Sequence, residues 1–414
     1  MTNETKNVPE LRFPEFDGEW EKKDFYKCVE IDSKLVNPRL PEYQNLPHIG
    51  PGNIQKNTGR ILNYNLVKDE NLISGKFEFN DGDIIYGKIN PQLQKICAPR
   101  FRGLASADSY PIKPIKEISN MKFIYYSLFT SRFFKYSVSV SMRTGMPKIN
   151  RDELGGYKFY TTLLSEQQKI GEFFSKLDRQ IELEEQKLAK LEEQKKGYMQ
   201  KIFSQELRFK DENGNEYPEW EEKMLIDVLK DKSEGIKRGP FGGALKKDIF
   251  IEDGYAIYEQ RNAIYDMQQF RYFITQQKYD EMIGFAIKPN DIIMSCSGTI
   301  GKLSLIPENA KQGIINQALI RFRTNDKLLS NYFLIYMNSQ HMQRKILESN
   351  PGSAITNLIP VKELKKLNFP IPKINEQQKI VEFFKQIDNF IEKQSNKVKF
   401  LKERKQGLLQ KMFI

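Results

Sequence analysis

The residues best suited to chemistry in this chain are those that bind anions and read hydrogen-bonding edges. Ser297-Gly298-Thr299-Ile300-Gly301-Lys302 sets two glycines three apart and ends on a lysine. Such a turn can aim several backbone N–H groups at one phosphate oxygen, and Thr299 and Lys302 add side-chain donors. Arg238 to Lys247, RGPFGGALKK, is a second glycine-rich stretch, flanked by Arg238, Lys246 and Lys247. Each also admits a plainer account: a hairpin turn for the first, and a structural turn around a buried Phe241 for the second.

Charge points the same way. The chain has 65 Lys and Arg against 54 Asp and Glu, a net charge of +11, which suits a polyanionic partner. The excess is local: between Tyr86 and Lys148 only Asp108 and Glu117 oppose a long run of cations. In a DNA major groove, Arg reads guanine while Asn and Gln read adenine. The first-half candidates for base or phosphate contact are Asn53, Gln55, Lys56, Lys88, Asn90, Arg100, Arg102, Arg143 and Lys148. In the second half they are Glu259, Gln260, Arg261, Asn262, Ser295, Asn316, Gln317 and Arg323, beside the two glycine-rich stretches. The aromatics of Met121–Val138 could stack bases, but their helical spacing favours core packing.

Enzyme signatures are missing. There is no Asp-Pro-Pro-Tyr or Asn-Pro-Pro-Tyr motif; Asn90-Pro91-Gln92-Leu93 comes nearest. No methyl-donor loop or Walker loop occurs, since Ser297–Lys302 is too short. Glu221-Glu222-Lys223 is a triplet that arises by chance. With only His48 and His341, histidine chemistry is scarce. Cys28, Cys97 and Cys296 are too scattered for a zinc site and suit a reducing compartment. The polar start MTNETKNVPE and the lack of a long apolar run lead us to expect a cytoplasmic protein without a membrane span. A non-catalytic binding protein without its own cofactor is therefore expected.

The elements that must position these residues form a repeat. Leu164–Phe203 and Ile374–Phe413 align without a gap, Glu166 answering Glu376, and about half their positions are identical. Each reads as a helix of ~60 Å. Ile170, Phe174, Leu177, Ile181, Leu188 and Leu191 form an a/d seam in the first. Ile380, Phe384, Ile387, Ile391, Val398 and Leu401 form it in the second, and polar breaks recur at Glu184 and Gln394, Lys195 and Lys405. Ser165 with Gln168, and Asn375 with Gln378, read as caps. Landmarks repeat in the globules too: Leu11-Arg12-Phe13 and Trp20 return as Leu207-Arg208-Phe209 and Trp220, and Gly82-Asp83-Ile84-Ile85 as Asn290-Asp291-Ile292-Ile293. The expected domains are 1–163, a first globule; 164–205, a long helix; 206–373, a second globule; and 374–414, a second long helix. Helices held alike and globules otherwise different suit a reader of two unlike half-sites.

On these motifs the chain resembles the DNA-specificity subunit of type I restriction–modification systems. The resemblance rests on the SEQQKI and NEQQKI helix starts, their KGYMQKIF and QGLLQKMF ends, the GPFG loop and the Ser297–Lys302 loop. It implies an α+β chain with two tandem α/β target-recognition domains, each followed by a long helix. The helices would pair as an antiparallel coiled coil with pseudo-twofold symmetry, their polar breaks acting as register pins. It also implies a non-catalytic subunit for defence against foreign DNA, which reads bipartite duplex DNA. Two methyltransferase subunits and restriction subunits would bind it, and S-adenosylmethionine, ATP and Mg would belong to those partners. The first domain departs from the pattern: its counterpart of the Ser297–Lys302 loop, Tyr86 to Gln94, lacks the glycines. A self-sufficient nuclease or methyltransferase, and a coiled-coil scaffold with two peptide-binding globules, are the competing readings.

Overall fold

In the computed structural model, residues 7–142, 145–231, 234–241, 243–265, 268–348 and 360–414 are described. Contacts divide the chain into two compact units, 1–186 with 394–414, and 187–393. Both cuts fall inside the long helices, Leu164–Phe203 and Ile374–Met412.

The first unit holds a four-stranded sheet in the order Val29–Ile31, Ser109–Pro114, Ile84–Gly87, Ile96–Cys97. The second unit repeats that order with Ile236–Arg238, Leu319–Phe322, Ile292–Ser295, Leu303–Leu305. Each unit adds a second sheet containing one parallel pair: His48–Ile49 with Gly103–Ala105, and Tyr255–Tyr258 with Gly313–Ile315. A two-stranded ribbon leads into each long helix, Glu21–Asp24 with Lys158–Thr161 and Glu221–Met224 with Asn368–Ile371. The turn before the central strand is built alike in both units. Gly82 and Asn290 take left-handed φ values of 94° and 66°, and the next residue, Asp83 or Asp291, accepts a backbone N–H from Asn80 or Lys288 at 2.8 and 2.7 Å.

The aromatic helix predicted over Met121–Val138 is two helices, Met121–Ser127 and Ser131–Ser141, because Thr130 caps the second through the Phe133 N–H at 3.3 Å. Its counterpart likewise splits into Ser330–Met337 and Gln340–Glu348, with Ser339 accepting from Met342 N–H at 3.2 Å. Phe123, Tyr126 and Phe133 lie in the core.

The predicted caps are displaced. The long helices begin at Leu164 and Ile374, so Ser165 and Asn375 lie inside the first turn. The docking is done by the Glu-Gln pair that follows. Glu166 is fully buried and takes a bidentate pair from Arg12 at 2.7 Å on each nitrogen. Glu376, equally buried, takes Arg208 at 3.2 and 2.8 Å and the Trp220 indole N–H at 3.0 Å. Gln167 donates to the Ile118 and Thr162 carbonyls at 3.0 and 2.7 Å and accepts the Asn120 N–H at 2.9 Å. Gln377 does the same with the Lys327 and Pro372 carbonyls and the Leu329 N–H, each at 2.9 Å.

The opposite helix end closes each core. Phe413 packs on Trp20, Phe123 and Phe174 in the first unit, and Phe203 on Trp220, Tyr332 and Tyr336 in the second. Between these ends the helices run antiparallel. In the first unit Asp178 pairs with Lys405, while Gln394 donates to the Glu184 side chain at 2.7 Å. In the second unit Lys195 pairs with Asp388 and the Tyr198 ring meets Phe383 edge-on. Ile170, Phe174, Leu177, Ile181, Ile380, Phe384, Val398 and Leu401 are buried. Leu188, Leu191, Ile387 and Ile391 are half-buried, because a two-helix seam leaves its flanks open.

Removing Arg208 strands a buried carboxylate. Arg208→Ala is expected to destabilise the second unit by about 3–5 kcal/mol. Urea unfolding followed by Trp220 fluorescence, in a Trp20→Phe background, reads this directly, and an unshifted midpoint contradicts it.

Candidate nucleic-acid interface

In the second unit several of the predicted groups meet at one hairpin. Strands Ile292–Ser295 and Leu303–Leu305 are joined by the loop from Cys296 to Lys302. The buried Ser295 closes it: its hydroxyl donates to the Thr299 carbonyl and accepts the Lys302 N–H at 3.1 Å, and its own carbonyl accepts the Gly301 N–H at 2.9 Å. Gly298 and Gly301 are left-handed, with φ of 61° and 80°. A Cβ on Gly298 would lie 3.2 Å from the Gln260 amide nitrogen, so Gln260 flanks the loop. The other glycine-rich stretch arrives beside it. Gly239 lies so close to the Asn316 carbonyl that a Cβ would come within 1.9 Å, and the Cys296 N–H donates to Ala318 at 2.9 Å. Burial raises the pKa of the Cys296 thiol, and Arg238 beside it works the other way. Thr299, Lys302, Lys246 and Lys247 are exposed; Ser297, Arg238 and Arg261 are half-buried.

The first unit builds its counterpart without glycine. The hairpin joining Ile84–Gly87 to Ile96–Cys97 carries left-handed Asn90 and Gln94, with φ of 52° and 42°. Asn90 N–H donates to Pro147 at 2.8 Å, Ile149 N–H to Lys88 at 3.1 Å, and Asn57 N–H to Gln94 at 3.4 Å. These bonds stitch the loops bearing Asn53, Gln55, Lys56, Lys88, Asn90 and Lys148 into one surface. Lys56, Arg100 and Lys148 are exposed. Lys88 is half-buried, 5.3 Å over the Tyr110 ring, and its pKa is lowered by burial and then by Lys148. Arg151, which the sequence did not single out, covers the same ring at 5.2 Å. Arg60, also unremarked, pairs with Glu185 of the first long helix. No local motif signals either contact.

Several predicted readers are committed elsewhere. Asn262 is buried, and its side-chain oxygen accepts the Glu259 N–H at 2.9 Å. Arg323 is buried in a bidentate pair with Asp291 at 2.7 and 2.8 Å and also binds Glu234. Neither can reach a base without unmaking the fold. Glu259 is held by Arg271 at 2.9 and 2.7 Å. Asn53 uses its amide to brace its own loop at Gly50 and Asn63, 2.9 and 2.7 Å away. The Gln55 amide oxygen accepts from Thr58 at 3.3 Å, and Arg102 pairs with Glu78 at 2.7 Å. Arg143 lies outside the described residues. Phe241, which the plainer account of the RGPFGGALKK turn would bury, is 88% exposed.

The family model of the type I restriction modification DNA specificity domain matches residues 20–193 and 219–399. The chain is 32% identical over 168 residues to the EcoDI specificity subunit of Escherichia coli, covering 41% of this chain and 37% of that one. Its match to the MjaVIII specificity subunit of Methanocaldococcus jannaschii is 24% identical over 368 residues, covering 84% and 80%. The fold is similar to that of a chain solved in work on complex assembly and conformational transition of the type I R-M system, with a TM-score of 0.62, 16% identity, and 95% and 97% coverage. It is also similar to the S subunit of a type I restriction–modification system from M. genitalium, with a TM-score of 0.56, 14% identity, and 98% and 99% coverage.

Two substitutions separate structural from surface cations. Arg323→Ala should destabilise the second unit by about 3–5 kcal/mol, because Asp291 is left buried and unpaired. Lys302→Ala should leave stability within about 0.5 kcal/mol while weakening DNA binding and reducing its salt slope by about one. Chemical denaturation and filter binding at several salt concentrations distinguish them. A stable Arg323→Ala protein with weakened binding would return Arg323 to the reading surface.

Proposed function

The chain belongs to the family of type I restriction modification DNA specificity domains, and from that premise we propose that it reads a bipartite duplex target, one half-site per globule. The observation that carries this is one frame used twice with different loops. The sheet order, the aspartate-closed turn, the buried Glu–Arg pair and the Gln bonds recur in both units. The hairpin at the same place differs: Lys88 to Lys95 in one, Cys296 to Lys302 in the other. Keeping the frame while changing the loop is what two unlike half-sites require, because phosphate contacts position a protein and base contacts specify the sequence.

In this reading exposed cations such as Lys56, Lys148, Lys246, Lys247 and Lys302 hold phosphates. Neighbouring side chains such as Gln260, Asn90 and Gln317 approach base edges. The long helices set the unread gap between half-sites, and their outward faces carry two modification subunits, with restriction subunits joining the assembly. Methyl transfer and ATP-driven cleavage belong to those partners, which would hold S-adenosylmethionine, ATP and Mg; this chain supplies the address.

Exchanging residues 206–360 for those of a relative should change one half-site and leave the other intact. Methylome sequencing of cells carrying the hybrid and its methyltransferase partner reads the outcome. A change in both half-sites, or in neither, contradicts the proposal.

A further inference from the structure

Phe241 is the most exposed aromatic side chain among the described residues, at 88%. It stands at the turn of the RGPFGGALKK loop, which is closed by the Ala244 N–H donating to the Phe241 carbonyl at 2.9 Å. The loop is anchored at its start, where Gly239 N–H donates to Leu319 at 2.9 Å and the backbone presses on Asn316. A partial shelter is at hand: an open groove of roughly 650 Å³ beside the loop has Pro240, Ala244, Met282 and Phe285 in its lining. The ring remains in solvent nonetheless.

The exposed ring is continuous with the apolar lining of that groove, and contiguous exposed apolar surface rimmed by polar residues marks an interaction site. The surroundings select the occupant. Lys237, Arg238, Lys246 and Lys247 flank the ring along the chain, closer than the nearest acids in sequence, Glu234 and Asp248, and the one acid in the groove lining, Glu281, is paired with Lys278. The anchoring residues, Asn316 to Leu319, also hold the Cys296 end of the second glycine loop. An apolar ring amid cations, on a loop braced against a proposed base-reading hairpin, matches a duplex: phosphates for the cations and stacked base pairs for the ring. Proteins that insert apolar side chains between base steps use Phe, Leu, Ile or Met in this way.

Resting on the DNA reading above, we infer that Phe241 is a specificity residue that inserts its ring against one base step of the second half-site. It unstacks that step while the flanking cations grip the adjacent phosphates. Steps that unstack easily, such as pyrimidine–purine steps, are favoured at that position although no hydrogen bond reads them.

The test uses the full chain with its modification partner and a duplex carrying the methylated motif mapped in cells. 2-Aminopurine replaces one adenine at a time. Apart from the methyl-target adenines, which a methyltransferase extrudes by itself, wild type should raise fluorescence at one position within or bordering the second half-site. Phe241→Ala should abolish that rise and weaken binding by about ten-fold, roughly the loss of one base–aromatic contact. Its salt slope should stay unchanged, since no phosphate contact is lost. Phe241→Leu should restore part of both signals, and the melting temperature of each variant should match wild type because the ring packs on little. Wild-type affinity and fluorescence in Phe241→Ala overturn the inference. So does intact DNA binding by the chain alone with loss of the modification partner, which would make the ring a protein contact. If the wild-type complex binds no duplex in a salt-dependent manner, the DNA reading itself falls.

Discussion

A carboxylate without access to water fixes the start of each long helix. Glu166 and Glu376 are fully buried, and each is met by a single arginine from the opening segment of its globule. Burying an ion pair gains little net stability, because desolvation offsets most of the attraction. A two-pronged guanidinium–carboxylate pair does fix orientation and register. The adjacent Gln167 and Gln377 extend that control to backbone groups of the neighbouring strand and helix. The direction of each long helix is thus set by hydrogen bonds that tolerate little error. The aromatic ends, Phe203 and Phe413, then fill cores already shaped around Trp220 and Trp20. Rigid helices on rigid docking points give loops a platform from which small differences can be read.

The loops show how one platform carries two chemistries. At the central hairpin each unit needs two left-handed residues. The second unit uses Gly298 and Gly301, which present no side chain; the first uses Asn90 and Gln94 and places amide side chains there. A left-handed Asn or Gln costs more than Gly. The bonds from Pro147 and Asn57 to this loop hold it in place. The cost is understandable if those amides are needed where they stand.

Much of the frame was legible because it is periodic or local. The seam from Ile170 to Ile181 follows from spacing alone, and the Asn80–Asp83 turn from its residue types. The pairing of Glu21–Asp24 with Lys158–Thr161 was not, since nothing near either strand encodes a partner so distant in sequence. Thr130 broke a helix that apolar periodicity ran together, as Ser339 separates its counterparts in the second unit, because a cap acts through one hydroxyl. At the candidate interface the sequence located the glycine loops but misjudged individual side chains. Arg323 and Asn262 have the types that read bases, yet Asp291 and the Glu259 backbone claim them. Phe241 is the converse case, an apolar residue that a structural turn would bury and that stands outside. Residue type announces chemistry; only packing decides whether that chemistry faces solvent.

If the paired helices set the unread gap, lengthening both by one heptad should lengthen the gap and nothing else. The insertions belong after Glu184 and after Gln394, which bond to each other, so that the seam keeps its register. Seven residues add ~10.5 Å of helix, which is about three base pairs of duplex. Mapping methylated adenines genome-wide should then return both half-sites unchanged with about three more bases between them. An unaltered gap beside intact methylation would contradict the account.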